Sequence, residues 1–175
     1  MEAGVTRLGR TALVVLVACG VAAGSGPAHT TRFLNGTVAH VVDGDTLAVR
    51  DAQGDLVTVR LSGVDTPEKP WKGHWRAQPF SAQATGFTTD LVGGKEVTVR
   101  LKPDETHGRA VGEVFVDGRS LNRELLRAGL GWWNRTYEPS DHDLQRLEAS
   151  ARAARRGLWS DKDPVPPWQH RRARK

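Results

Sequence analysis

The chain has 175 residues, a length that suits one well-packed domain with short tails, since domains commonly take about 100 to 200 residues. Its formal net charge of +5 favours a polyanionic partner such as nucleic acid, although part of the excess lies at the C-terminus, in HRRARK. The single cysteine excludes an internal disulfide, so packing alone must hold the core together.

The beginning of the chain has the pattern of a secretion leader. Two arginines precede the apolar run TALVVLVA, which is too short to span a bilayer as a helix, so residues 1–18 are predicted to be a signal peptide. The following Leu-Val-Ala-Cys resembles the bacterial lipobox and makes Cys19 a candidate for lipidation, while ordinary secretion with cleavage after Ala23 or Ala28 is the alternative. Either route predicts an extracytoplasmic protein. Residues 19–32 are small and contain glycine, which favours a flexible tether.

Alternating apolar residues predict five strands beyond the tether. A period of two is typical of a strand with one face buried and the other exposed. The five segments are 38–42, 47–49, DLVTVRLSGV at 55–64, KEVTVRLK at 95–102 and RAVGEVFVDG at 109–118.

Three helices are predicted among and after these strands. The first has one apolar face, formed by Phe80, Ala84, Phe87 and Leu91. It stops at Gly93, a second helix follows Ser120 as its N-cap, and a third opens at Ser140, where Asp143 completes a capping box, and stops at Gly157. Because strands and helices do not alternate regularly, the order argues against a doubly wound sheet. It favours a mainly β, α+β domain in which helices pack on a small, bent barrel.

Charged residues concentrate in three stretches next to predicted strands: DGDT at 43–46, RLSGVDTPE at 60–68 and HGR at 107–109. The first alone is typical of a hairpin turn, and it is not an EF-hand, because Leu47 and Ala48 stand where an oxygen ligand and a glycine are required. Together the stretches combine carboxylates, which bind divalent cations, with arginines, whose planar guanidinium binds phosphate through two parallel hydrogen bonds. This combination suits phosphodiester chemistry.

The second charged stretch requires a bend in the chain. Arg60 and Asp65 have opposite parity, so on a regular strand their side chains would point to opposite faces. Gly63 is the residue that permits a bend between them, and Pro67 would stabilise the turn that follows. We therefore expect the strand to end at a site that collects both side chains.

Four stretches of the sequence resemble the staphylococcal nuclease (thermonuclease) family: VVDGDTLAV, VRLSGVDTPE, HGRAVGEVFVDGRSLNRELLRAGL and WSDKD. The resemblance covers residues 33–161 and leaves 162–175 as a basic Pro/Arg-rich tail, for which a solvated, frayed segment and a grip on an anionic polymer both remain open. It implies an OB-fold, a five-stranded barrel with three helices. It also implies a calcium-dependent endonuclease that cleaves DNA and RNA to 3′-phosphate products.

The resemblance also implies a metal site. Asp45, Asp65 and the main-chain carbonyl of Thr66 match the family's metal ligands, and Asp43 matches an acid behind them. Oxygen ligands suit Ca²⁺ and Mg²⁺ alike, so calcium depends on the resemblance and Mg²⁺ remains open.

Three further residues match the family's catalytic positions. Glu68 matches the general base, and Arg60 and Arg109 match the two phosphate-binding arginines. Their chemistry is appropriate, because attack on a phosphodiester needs an activated water and positive charge beside the phosphoryl oxygens.

The candidate contacts to nucleic acid are Tyr137, Arg135, His107, Trp71 and Trp75. Tyr137 matches one of two tyrosines that flank the nucleotide in the family, whereas Arg135 and His107 stand where an aromatic tyrosine is usual. The two tryptophans lie in WKGHWRAQ, a segment without an apolar period and with several cations, which favours stacking on bases.

Two classes of function fit these residues. The first is the nuclease, acting as a monomer, and the second is a non-catalytic OB-fold module that binds nucleic acid at the cell surface. An adhesin for an anionic cell-wall polymer would leave Asp45, Asp65 and Glu68 without a role. A serine hydrolase is excluded because no G-x-S-x-G stretch occurs in the sequence.

Overall fold

A computed structural model describes residues 31–70, 76–106 and 108–172. The strands are β1 (Arg32–Asp43), β2 (Thr46–Asp51), β3 (Leu56–Leu61), β4 (Val64–Asp65), β5 (Glu96–Thr106), β6 (Arg109–Val116), β7 (Arg119–Ser120) and β8 (Trp132–Trp133). The five long strands lie in the order β3-β2-β1-β5-β6, and a parallel pairing of β3 with β6 closes the sheet into a barrel. The predicted five-stranded barrel is therefore confirmed. Of the short strands, β7 pairs with β6, and β4 pairs with β8 in a separate ribbon.

Four α-helices accompany the barrel: α1 (Ser81–Val92), α2 (Leu121–Ala128), α3 (His142–Ala153) and α4 (Pro167–Arg172). The first three confirm the predicted helices. Ser120 caps α2 as predicted, because its hydroxyl accepts a hydrogen bond from the backbone N–H of Arg123 at 3.3 Å. Gly93 ends α1, also as predicted.

The predicted bounds of the third helix were wrong at both ends. Its N-cap is Asp141 and not Ser140, because the Asp141 carboxylate accepts hydrogen bonds from two backbone N–H groups of the first turn, at 3.1 and 3.0 Å. The helix ends at Ala153 because Arg155 and Gly157 adopt positive φ angles of 50° and 55°, which a continuing helix does not allow.

The core fills the barrel and extends to the helices that cover it. Its strand residues include Val38, Leu47, Val49, Val59, Val99 and Val114. Three leucines of α2, Leu121, Leu125 and Leu126, are fully buried against them. Apolar burial of this kind is the main stabilising contribution in a domain without a disulfide.

The basic tail at 162–175, for which the sequence left a solvated segment and a grip on an anionic polymer both open, contains α4. Its first residue, Pro167, is buried, and Trp168 packs against a second apolar cluster that includes Trp132, Leu158 and Trp159. This packing holds α4 against the domain, so at least residues 167 and 168 are anchored rather than solvated.

Several predicted features lie outside the described residues: the leader 1–18, Cys19, the tether as far as residue 30, Trp71, Trp75 and His107. β1 begins at Arg32, within the expected tether. Across the described ranges, no helix has both the length and the apolar character that crossing a membrane requires.

Candidate active site

The chain bends between Arg60 and Asp65 as predicted. β3 ends at Leu61, and Gly63 adopts φ +67°, a left-handed conformation that glycine reaches without strain. A Cβ at this position would lie 2.6 Å from Cγ of Glu138, so the site has no room for a side chain. The bend brings Nη2 of Arg60 into a hydrogen-bonded ion pair with Oδ1 of Asp65.

The DGDT turn between β1 and β2 holds Asp45 against the residue that follows Asp65. Oδ2 of Asp45 accepts hydrogen bonds from the backbone N–H of Thr66 at 2.7 Å and from its hydroxyl at 3.1 Å. Gly44 permits this approach, because a Cβ there would lie 2.7 Å from Oγ1 of Thr66. From α1, the Thr88 hydroxyl donates to the Gly44 carbonyl oxygen at 2.7 Å and stabilises the turn.

Arg60 joins the two candidate metal-binding carboxylates. Its Nη1 lies 2.8 Å from Oδ1 of Asp45, and its Nη2 pairs with Asp65. Both acids are buried, with exposed fractions of 2% for Asp45 and 1% for Asp65. Burial raises the pKa of Asp45 to about 6 although the charge of Arg60 lowers it, and the nearby Asp43 raises it further. At Asp45, the cost of burying a charged carboxylate therefore exceeds what the ion pair with Arg60 offsets.

The closure of the barrel brings Arg109 to the same place. β3 and β6 run parallel, with Val59 opposite Ala110 and Arg60 opposite Val111, so Arg109, the first residue of β6, lies beside the middle of β3, close to Arg60. Arg60, Asp65, Glu68 and Arg109 line one open pocket of about 720 Å³, together with Asp43 and Tyr137. Asp45 lies directly behind this pocket wall, in contact with Arg60. Folding thus assembles the five predicted residues from three segments of the chain.

Glu68 is positioned by Gln78, a residue that the sequence analysis did not identify. The backbone N–H of Glu68 donates to Oε1 of Gln78 at 2.8 Å, and the backbone N–H of Gln78 donates to the Glu68 carbonyl oxygen at 2.9 Å. Gln78 is buried, while the Glu68 side chain keeps 22% of its surface exposed. The two hydrogen bonds therefore hold the Glu68 backbone in place and present its carboxylate to the pocket.

The oxygen donors of this pocket fit a hard divalent cation. Asp45 and Asp65 converge on one guanidinium, and the Thr66 N–H donates to Asp45, so the two carboxylates and the Thr66 backbone lie in one small region. Within residues 31–70, 76–106 and 108–172, no three Asp, Glu, His or Cys side chains are grouped closely enough to hold an ion by themselves. The Thr66 carbonyl and water would therefore have to complete the coordination.

The described nucleic-acid candidates lie at the pocket rim and beside it. Tyr137 is 65% exposed and lines the pocket. The Arg135 guanidinium lies 5.1 Å from the centre of the Trp133 ring and lines a neighbouring groove of about 590 Å³ instead. Tyr137, Asn134 and Arg171 line both cavities, so the two are adjacent.

Two cations of the pocket were not predicted. Lys69 lines it and donates from Nζ to the Val42 carbonyl oxygen at 2.7 Å. Arg171, on α4, lies 2.9 Å from Oδ2 of Asp65 through Nη2 and 2.5 Å from Oε1 of Glu68 through Nη1. Burial would lower the pKa of Arg171, but its hydrogen bonds and ion pairs with the two acids outweigh burial and raise that pKa. In the sequence, the only feature that could have drawn attention to Arg171 was the basic C-terminal run. That run indicated a polyanionic partner and not contacts with Asp65 and Glu68.

Comparison with known proteins agrees with this geometry. The model of the family described as staphylococcal nuclease homologue matches residues 58–161, more than half of the chain. An uncharacterized endonuclease of Escherichia coli O157:H7 is 39% identical over 142 residues, which cover 79% of this chain and 87% of that protein. A micrococcal nuclease of Shigella flexneri is 32% identical over 150 residues, 80% of this chain and 82% of the relative. Protein ParB of Escherichia coli is 35% identical over 149 residues, 79% and 80% of the two chains. With its closed barrel and its clustered acids and arginines, the chain belongs to the staphylococcal nuclease family.

Proposed function

We propose that the protein is an extracytoplasmic, metal-dependent endonuclease that hydrolyses phosphodiester bonds of DNA and RNA and leaves 3′-phosphate products. Membership of a nuclease family supports nucleic acid as the substrate. The observation that carries the proposal is the pocket in which Arg60, Glu68 and Arg109 surround buried carboxylates and remain open to solvent. An anionic phosphodiester fits a cavity of this size and charge.

Arg60 and Arg109 would bind the scissile phosphate from adjacent barrel strands. Arg60 uses two of its nitrogens to hold Asp45 and Asp65, and a guanidinium has further N–H donors that can face the pocket. The ion pairs also restrict the rotation of Arg60, so less conformational entropy is lost when phosphate binds. Both arginines would stabilise the charge that builds on the phosphoryl oxygens during attack.

Glu68 would act as the general base. Its carboxylate would accept a proton from the attacking water, the P–O5′ bond would break, and the departing 5′ oxygen would take up a proton. The two backbone hydrogen bonds to Gln78 hold Glu68 in place during this transfer. A base must lie within hydrogen-bond reach of the proton that it accepts, and a fixed backbone meets that requirement.

Asp45, Asp65 and the carbonyl of Thr66 would hold the cation, which supplies positive charge beside the attacked phosphate when bound. The family resemblance favours Ca²⁺, and the oxygen donors accommodate Mg²⁺ as well. Asp43 contributes further negative charge next to Asp45, since it raises the pKa of that carboxyl. Tyr137 at the rim is placed to stack on a neighbouring base.

Plasmid digestion separates the nuclease from a non-catalytic binding module. The full chain should cleave plasmid DNA with Ca²⁺ and stop cleaving in EDTA, and it should leave 3′-phosphate ends on both DNA and RNA oligonucleotides. Binding of DNA without cleavage under both conditions would contradict the enzymatic proposal and favour the binding module.

The extracytoplasmic location remains a proposal, supported by the leader-like pattern of residues 1–18. Mass spectrometry of the mature N-terminus would test it. A diacylated or triacylated Cys19 would support a lipid anchor, cleavage after Ala23 or Ala28 would support secretion, and an intact leader on the cytoplasmic protein would contradict both.

A further inference from the structure

Arg171 contacts the two acids on which the proposed chemistry depends. Its Nη2 lies 2.9 Å from Oδ2 of Asp65, and its Nη1 lies 3.4 Å from Oδ1 of the same carboxylate. The same Nη1 lies 2.5 Å from Oε1 of Glu68. One guanidinium therefore pairs with a candidate metal ligand and with the candidate general base at the same time. Arg171 lies beyond residue 161, where the match to the family ends.

Packing of the C-terminal segment, and not charge alone, places Arg171 at the acids. Trp168 packs on the cluster that contains Trp132 and Trp159, and Pro167 is buried at the start of α4. Nε2 of Gln78 donates to the Val165 carbonyl oxygen at 3.0 Å, just before α4. Gln78 also holds the backbone of Glu68, so one side chain links the tail to the pocket loop. The contact is thus part of a defined docked arrangement.

The carboxylate oxygens of the two buried acids are already engaged when Arg171 is docked. Asp45 pairs with Arg60 and accepts from Thr66, Oδ1 of Asp65 pairs with Arg60, and Oδ2 of Asp65 pairs with Arg171. A divalent cation at these carboxylates would need an oxygen that Arg171 occupies. It would also place positive charge next to a guanidinium, which is repulsive at short range.

We propose that Arg171 is an internal competitor for the cation: its guanidinium occupies the position at Asp65 and Glu68, and cation binding and docking of Arg171 are mutually exclusive. This inference rests on the metal site of the proposed function. While docked, Arg171 withholds both a metal ligand and the general base, so the metal-free protein is held in a resting state. Cation binding releases Arg171 and makes Glu68 available as a base.

The competition has a measurable size. When only a fraction of the molecules has the site open, the apparent affinity falls by that fraction, so a tail docked about nine-tenths of the time weakens cation binding about tenfold. Removal of the guanidinium should restore the intrinsic affinity. Removal of the Arg172 guanidinium should leave the affinity for the cation unchanged. Arg172 is exposed and makes no ion pair within the described part of the chain.

Isothermal titration of Ca²⁺ into the full chain, without substrate, tests the competition. Arg171→Ala should bind Ca²⁺ about tenfold more tightly than the unchanged chain, Arg171→Lys should fall between them, and Arg172→Ala should match the unchanged chain. Equal affinity of Arg171→Ala and the unchanged chain would overturn the proposal. An equal gain in Arg172→Ala would also overturn it, because a general charge effect would then suffice.

Hydrogen exchange of the unchanged chain provides a second test that needs no variant. Saturation with Ca²⁺ should accelerate amide exchange in residues 165–172, and unchanged or slower exchange there would overturn the proposal.

The outcomes separate the two proposals. Tighter Ca²⁺ binding by an Arg171→Ala protein that never cleaves DNA would refute the nuclease alone. If the unchanged chain cleaves DNA but Arg171→Ala binds Ca²⁺ no more tightly than the unchanged chain, only the competition is refuted.

Discussion

The two regions that supply the pocket are held in place in different ways. The DGDT turn, β4 and the residues after β4 carry Asp45, Asp65 and Glu68, and backbone hydrogen bonds together with close contacts at Gly44 and Gly63 constrain them. The C-terminal segment carries Arg171 and is held by a short helix, a tryptophan contact and one hydrogen bond from Gln78.

This difference separates the permanent part of the site from the displaceable part. These residues cannot move without breaking strand pairing, backbone hydrogen bonds and core packing, which couples their position to global unfolding. A six-residue helix can detach at the cost of a few contacts, because short helices are marginal without tertiary packing. The acids are therefore suited to a fixed catalytic geometry, and Arg171 is suited to a contact that comes and goes.

The largest expected effect comes from Glu68, in the permanent part of the site. Glu68→Gln preserves the shape and the backbone hydrogen bonds of the loop but removes the base, so kcat/KM for plasmid cleavage should fall about 10²–10⁴-fold. Glu96→Gln, at an exposed position of β5, is the matched control and should retain full activity. Retention of activity in Glu68→Gln at saturating Ca²⁺ would remove Glu68 from the role of base.

The bend between Arg60 and Asp65 should be the next most sensitive feature. Gly63→Ala combines a left-handed backbone with contacts of 2.6 and 2.8 Å to side-chain atoms of Glu138 and Leu144. The free energy of unfolding in urea should drop by about 2–5 kcal/mol. Gly54→Ala is the control, because φ is +91° there but no atom lies within 4 Å of the added Cβ. Its loss should be only about 1–2 kcal/mol, and equal losses would show that crowding at Gly63 is unimportant.

The smallest of the three effects concerns Gln78, which touches both regions. Gln78→Ala removes the side-chain hydrogen bonds to Glu68 and Val165, and the free energy of unfolding should fall by about 1–3 kcal/mol. Amide exchange in residues 165–172 should become faster even without Ca²⁺. Gln53→Ala, in an exposed turn, should change stability by less than about 0.5 kcal/mol. Unaltered exchange in Gln78→Ala would show that the tail docks without this hydrogen bond.

Local patterns were sufficient for most of the fold. The period of two across Val57, Val59 and Leu61 predicted a strand because side-chain direction alternates along any extended chain, whatever surrounds it. The N-cap of α3 was missed by one residue because Ser140 and Asp141 are both good N-caps, and the hydrogen bonds actually formed decide between them. The parallel pairing of β3 with β6 left no local signal, since the two strands are distant in the chain.

The sequence predicted part of the candidate site, again because local patterns carry information that contacts between distant segments do not. Asp45, Arg60, Asp65, Glu68 and Arg109 lie in stretches whose residue types and spacing already indicate phosphate and cation chemistry. Gln78 acts through its contacts with a backbone ten residues away, and a lone glutamine before a helix has no distinguishing pattern. Arg171 is 106 residues from Asp65 in sequence, and it lies in a basic run that is typical of a solvated tail.

By itself the sequence determined the five long strands, the first three helices and the residue types of the pocket, because alternation, capping and side-chain chemistry are local properties. Only the tertiary structure decided that the barrel closes through β3 and β6, that Arg60 bridges two buried acids, and that α4 brings Arg171 to Asp65 and Glu68. These contacts join segments far apart in the chain. They form because burial of the shared core brings the segments together, and no short pattern encodes that proximity.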